Sequence, residues 1–344
     1  MRHVRIAWVA FTVSVIAAAC VSAAEGPVPD LLPTVGSIER LDPRFDVLVP
    51  QDAVIEVLAT GFVWAEGPVW LEREQALLFS DIPRNRVMRW HATEGLSVFL
   101  EPSGYTGPSA YGNERGSNGL TLDRQGNLIS CEHGDRRVSR LTAGGGKRTV
   151  ADNYRGKRFN SPNDCVIHSS GAIYFTDPPY GLPKGWDDDR RELDFCGVYR
   201  VTPDGVVTLL CDTMTRPNGI AFSPDERFLY VADTGRSHVP NGPAHIRRFE
   251  ISADGTKLGR SVVFAECTAG FFDGFRFDTE GNLWSSAGDG VHVYEPGGTL
   301  IGKILIPEIV ANVTFGGVKR NRLFICATTS LYAAYTTATG AARG

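Results

Sequence analysis

Residues 273–295 read DGFRFDTEGNLWSSAGDGVHVYE, and this stretch carries the pattern that decides the fold. Asp273 and Gly274 open a short apolar run, FRF. DTEGN at 278–282 is a polar turn, LWSSA is a second apolar run, and VHVYE follows another Gly-rich turn as a third. β-branched and aromatic residues bounded by Gly, Asp and Asn turns are strand signals, and no helical periodicity competes with them.

The same unit recurs through the chain. Its openings are EGPVW from Glu66, NGLTLD from Asn118, NDCVIH from Asn163, NGIAFS from Asn218 and NVTFGG from Asn312. Successive openings lie roughly 40 to 55 residues apart, close to the ~40–50-residue period of propeller blades. Second strands read LLFSD, LISCE, IYFTD, FLYVAD, LWSSA and LFICA, and third strands RVMRW, RVSRL, GVYRV, HIRRF, VHVYE and SLYAAY. Outer strands SVFLE, KRTVA, VVTLL, SVVFA and KILIP serve five of the six units; AVIEVLA at 53–59 supplies the sixth from the N-terminal side. The expected fold is therefore all-β, a six-bladed β-propeller closed by pairing of N-terminal and C-terminal strands, which removes exposed sheet edges.

Composition agrees. The chain has 344 residues, 42% hydrophobic and 22% charged, enough to bury a large core and too apolar for a disordered chain. A net charge of -4 without a run of Lys or Arg argues against a nucleic-acid partner. Residues 1–24 read as a secretory signal: Arg2 and Arg5, an apolar stretch from Ile6 to Ala19, then Ser22, Ala23 and Ala24. The protein is expected to be exported, periplasmic or secreted, with no membrane contact unless lipid is attached at Cys20. Residues 25–50 are expected to form a strandless N-terminal leader outside the ring, and 51–344 the propeller. Six cysteines remain after the signal, none in a CxxC pair, so zinc is not expected and no disulfide pairing is assigned. Nothing in the sequence addresses oligomeric state.

In an up-and-down blade, loops before first strands and loops after second strands share one face of the disc. Glu66, Asn118, Asn163, Asn218 and Asp273 all stand where an innermost strand begins, around the mouth of the central channel. Asp81, His133, Asp177, Tyr180, Asp233 and Asp289 follow second strands and come to the same side. One Asn or Asp before Gly is an ordinary turn former. Five oxygen-bearing side chains at equivalent slots imply convergence. Carboxylates with amide oxygens form an all-oxygen set suited to a hard cation such as Ca²⁺, or another divalent cation in its place.

With these residues in view, the sequence resembles the senescence marker protein, gluconolactonase and luciferin-regenerating-enzyme family, over about residues 50 to 335. The likeness rests on AEGPVW around Glu66, SPNDCVI around Asn163, FTDPPYG at 175–181, RPNGIAFSPD around Asn218 and DGFRFDTEGNLW from Asp273. SNGLTLDRQGNLISCEHGDRRVSR at 117–140 looks like the bacterial gluconolactonase branch. The resemblance implies Ca²⁺ coordinated by Glu66, Asn163, Asn218 and Asp273, with Asp273 also the catalytic carboxylate. Ser161 stands where animal members carry a substrate-contacting Arg.

The expected chemistry is hydrolysis of a sugar lactone, a small-molecule substrate, with Asp273 as base or nucleophile. Asn118, His133 and Ser161 are expected to bind substrate, and Asp164 to support the ligand shell. There is no GxSxG sequence, so a serine hydrolase is set aside. Two alternatives stand beside this reading: a hydrolase of other esters or phosphoesters, and a non-catalytic calcium-stabilised binding propeller.

Overall fold

The computed structural model describes residues 32–341. The signal segment 1–24 and Cys20 lie outside the described residues. Six antiparallel sheets form from residues 65–100, 117–151, 165–214, 217–266, 275–305 and 310–335, each strand pairing with its sequence neighbour. These are blades 1 to 6 in chain order. Each inner strand packs on the next and the last packs on the first, closing a ring.

The closing strand is the expected one. Ile55–Thr60 pairs antiparallel with Ser330–Tyr335, Thr60 opposite Ser330 and Ile55 opposite Ala334, completing blade 6.

Residues 32–50 differ from the expected strandless leader. Thr34–Val35 adds a fifth strand to blade 6, and Ser37–Arg40 adds one to blade 5 by pairing with Leu300–Leu305. A one-turn helix, Pro43–Asp46, follows and buries Phe45 completely against Gly302 and the Trp284 ring. Strands this short show no alternation of their own. They form because an outer blade strand offers unpaired backbone groups that two to four residues can satisfy.

Blades pack face to face through aromatic and aliphatic side chains. Trp70 stacks on Phe324 between blades 1 and 6 at 5.2 Å, Tyr174 meets Phe222 edge-on between blades 3 and 4 at 4.9 Å, and Trp284 meets Phe315 between blades 5 and 6 at 5.4 Å. Leu78 and Val87 pack on Leu120 and Leu128 between blades 1 and 2. The six cysteines of the described region are free thiols; all but Cys211 are buried, as small apolar residues.

Candidate active site at the channel mouth

The inner strands lose their regular pairing where the candidate residues sit. Register shifts fall between Glu66 and Val69, Ser117 and Leu120, Pro217 and Ile220, and Val310 and Asn312. In blades 3 and 5 pairing starts only at Cys165 and Phe275, two residues after Asn163 and Asp273. A bulge releases a side chain from strict alternation and re-aims it. Glycine follows four of these residues because the next inner strand is too close for a side chain. A Cβ on Gly67 would lie 2.0 Å from the Asn118 carbonyl oxygen, and one on Gly219 2.0 Å from that of Asp273.

Hydroxyls behind the strands hold the site backbone. Ser80 Oγ donates to the Asn118 carbonyl at 2.8 Å, Thr176 Oγ1 donates to the Asn218 carbonyl at 2.8 Å, and the Asp273 N–H donates to Ser286 Oγ at 2.9 Å. These supporting groups were missed in the sequence, although each stands near the end of a second strand.

The structure brings Glu66, Asp164 and Asp273 into one group of like charge, Glu66 and Asp164 buried and Asp273 half-buried. Burial and the Asp164 charge push the Glu66 carboxyl up to about 8. Burial first, then Glu66, Asp164 and Glu114, hold Asp273 well above the usual carboxylate range, against a hydrogen bond from Asn218. Asn312 Nδ2 donates to Glu66 Oε2 at 2.9 Å, and the Gly67 N–H donates to the same oxygen. Asp164 accepts the Cys165 N–H at 2.8 Å, while its other oxygen is buried, without a hydrogen-bond partner, 3.9 Å from the Arg276 guanidinium. Two buried carboxylates, Glu66 and Asp164, thus share one guanidinium.

Asn163 is buried at the next inner strand, its carbonyl accepting the Gly119 N–H at 2.7 Å. Among the described residues no group of three or more His, Cys, Asp or Glu forms a metal cluster. The candidate set does not rely on one, because two of its four members are asparagines. The donor chemistry of Glu66, Asn163, Asn218 and Asp273 fits a hard divalent cation: two carboxylates and two amide oxygens.

The expected substrate residues take different places. Asn118 is buried, and its Nδ2 lies 3.3 Å from His133 Nε2. His133 is fully buried, and burial lowers its imidazole to about 4. It therefore sits behind Asn118, not at the open surface. Ser161 is also fully buried, its hydroxyl donating to the Pro178 carbonyl at 2.6 Å and accepting the Gly181 N–H at 2.9 Å. Its polar capacity is used within the loop.

The aspartates after second strands are backbone clamps. Asp177 accepts the Asn160 and Ser161 N–H groups at 2.8 Å each, Asp233 those of Thr215 and Arg216 at 2.9 Å each, and Asp81 those of Val63 and Trp64. Asp289 instead pairs with His292 at 2.7 Å. Tyr180 is nearer the chemistry: its hydroxyl bonds Thr234 and Ser237, and Asp273 contributes to raising its pKa.

One acidic residue near the site had no signal in the repeat. Glu114 lies on the loop between blades 1 and 2, its Oε2 3.7 Å from His133 Nδ1. A separate cavity of about 520 Å³ opens at the other end of the inner strands, lined by Leu71, Leu122, Arg276 and Phe315 and by none of the expected site residues.

The chain is similar to known proteins over most of its length. A gluconolactonase of Zymomonas mobilis is 39% identical over 306 residues, covering 86% of this chain and 84% of that protein. A pentonolactonase of Haloferax volcanii is 26% identical, covering 79% and 84%. Among solved structures, a gluconolactonase of Xanthomonas campestris superposes with a TM-score of 0.78 at 33% identity, covering 91% of this chain and 99% of that one. Residues 64–329 match the family described as the SMP-30/Gluconolactonase/LRE-like region, and the chain belongs to that family.

Proposed function

We propose that this protein hydrolyses a sugar lactone, in the manner of a gluconolactonase, at a calcium centre held by Glu66, Asn163, Asn218 and Asp273. Its similarity to a gluconolactonase and a pentonolactonase supports the broader statement that the chain is a lactonase, a carboxylic ester hydrolase. The observation that supports the site is the grouping of Glu66, Asp164 and Asp273, in which Asp164 opposes ionisation of Glu66, and Glu66 and Asp164 together oppose that of Asp273. Such a group is stable in its charged form only opposite a cation.

A bound calcium ion supplies Lewis-acid polarisation of the lactone carbonyl and offsets the charge that grows on its oxygen. Calcium activates water far less than zinc does, so a protein base is needed. Asp273 fills that role by taking the proton of the attacking water, or it attacks the carbonyl itself. Mass spectrometry of enzyme quenched during turnover finds an acyl adduct on Asp273 only in the second case. Asn118 presents its amide to a substrate hydroxyl, and His133 holds that amide in orientation. Ser161 acts through the loop that it closes.

The test is a panel of aldonolactones and an organophosphate, assayed with and without a chelator. Lactone turnover that stops with the chelator and returns with calcium is expected. Turnover of the organophosphate alone points to a phosphoester hydrolase. Calcium-dependent thermal stabilisation without any turnover points to a binding propeller. We also propose export through residues 1–24, checked by fractionating cells and sequencing the mature N-terminus.

A further inference from the structure

We propose that the cavity at the other end of the inner strands is a second ligand site, which takes a small monocarboxylate with an apolar body and holds the carboxylate on Arg276.

Arg276 is out of pattern in the repeat. Three residues after the opening of each unit stand Val69, Thr121, Val166, Ala221, Arg276 and Phe315, so Arg276 alone is charged at this slot. The inner strand of blade 5, Phe275–Phe277, buries Phe275 and Phe277 in the packing against blade 4. Strand alternation turns Arg276 to the opposite face, where it lines the cavity.

The guanidinium is buried yet short of partners. Arg276 is 8% exposed. Its Nη1 donates to the Phe275 carbonyl at 2.7 Å and lies 3.9 Å from Asp164 Oδ2, too far for a hydrogen bond. Nε and Nη2 have no hydrogen-bond partner among the described residues, and neither is sealed from solvent. These two nitrogens share one edge of the guanidinium, the edge that takes a carboxylate through two parallel N–H···O bonds. Asp164 therefore meets part of the charge of Arg276 and none of these donors.

The rest of the cavity sets the chemistry of the ligand. Five arginines and three acidic residues line it, an excess of two positive charges in a chain of net charge -4. One of the acids, Glu72, is already paired with Arg320 at 2.5 Å, and another, Asp123, with Arg140 at 3.0 Å. Such walls attract an anion and repel a cation. Leu128, Phe277 and Phe315 are buried apolar parts of the lining, and the volume of about 520 Å³ is that of a small-molecule pocket. A sugar acid would set its hydroxyls against the apolar walls without partners, whereas an alkyl or aryl body is stabilised by burial there.

The experiment is calorimetric titration of octanoate, octanamide and acetate into the calcium-loaded protein, as wild type, Arg276→Gln and Leu122→Glu. Octanoate is expected to saturate one site on wild type. Octanamide, which lacks the charge, and acetate, which lacks the apolar body, should each bind ~10-fold or more weakly. Arg276→Gln should weaken octanoate by ~10-fold or more, since two charge-assisted bonds are lost. Leu122→Glu sets a carboxylate in a half-buried part of the cavity wall and should weaken octanoate to a similar extent by like-charge repulsion. Arg276→Gln also deprives Asp164 of its cation, so if that variant does not fold, Leu122→Glu decides. No saturable octanoate binding to wild type, octanamide or acetate binding as tightly as octanoate, or full octanoate affinity in either folded variant would overturn the site.

Discussion

Asn312 donates its side-chain amide to Glu66 at 2.9 Å, across the seam where the last inner strand meets the first. The bond joins the closure of the ring to the site, because Glu66 is a proposed ligand and Asn312 the equivalent slot of blade 6. Asn312→Ala leaves a buried carboxyl short of a donor, which costs about 1–3 kcal/mol. A lower denaturant midpoint and weaker calcium binding are expected together. An unchanged midpoint would show that the bond adds nothing.

Asp273→Asn separates chemistry from fold. Turnover is expected to fall by ~1,000-fold or more, since base and ligand are lost in one change. In chelator, the variant should unfold at a higher temperature than wild type, because an amide relieves repulsion with Glu66 and Asp164. Thermal scans with and without calcium check both halves.

The metal-free protein should weaken as pH rises. Glu66 has a folded value of about 8 against an ordinary 4.5, so the folded chain holds a proton that the unfolded chain has released. Its contribution is complete below 4.5 and is lost as pH rises through about 8. Unfolding in chelator at pH 6 and pH 9 should show the decline, and added calcium should remove most of it.

His133 acts in the opposite direction. Its folded value of about 4 lies below the ordinary 6.5, so its contribution is present above 6.5 and is lost as pH falls through 4. The linked free energy is about 3 kcal/mol. The stability difference between wild type and His133→Gln, followed from pH 7 to pH 4, should shrink over that window. A constant difference would mean that the imidazole titrates normally.

Phe45 tests the N-terminal strands. It is fully buried against Trp284, so Phe45→Ala should cost about 3–5 kcal/mol. A loss below about 1 kcal/mol would mean that residues 32–50 dock without stabilising blade 5.

Legibility in the sequence followed the range of the forces. A two-residue alternation broken by Asp and Gly turns is local, so the repeat, the six blades and the closing strand at 53–59 could be read residue by residue. The slots of Glu66, Asn118, Asn163, Asn218 and Asp273 could be read too, because one unit repeated around an axis places equivalent positions on one face. The pairing of Ser37–Arg40 with blade 5 had no such signal. Edge pairing satisfies backbone groups, and backbone groups are the same at every residue.

Tertiary structure decided the roles within those slots. Asp177 and Asp233 read like site acids, yet their oxygens hold backbone N–H groups. His133 is sealed beneath a loop, and the Ser161 hydroxyl is spent inside one. Glu114 comes to 3.7 Å from His133 on a loop that has no counterpart in the repeat. Burial and partner choice depend on which distant segments come together, and for a polar side chain those two quantities set both its charge and its availability to a substrate.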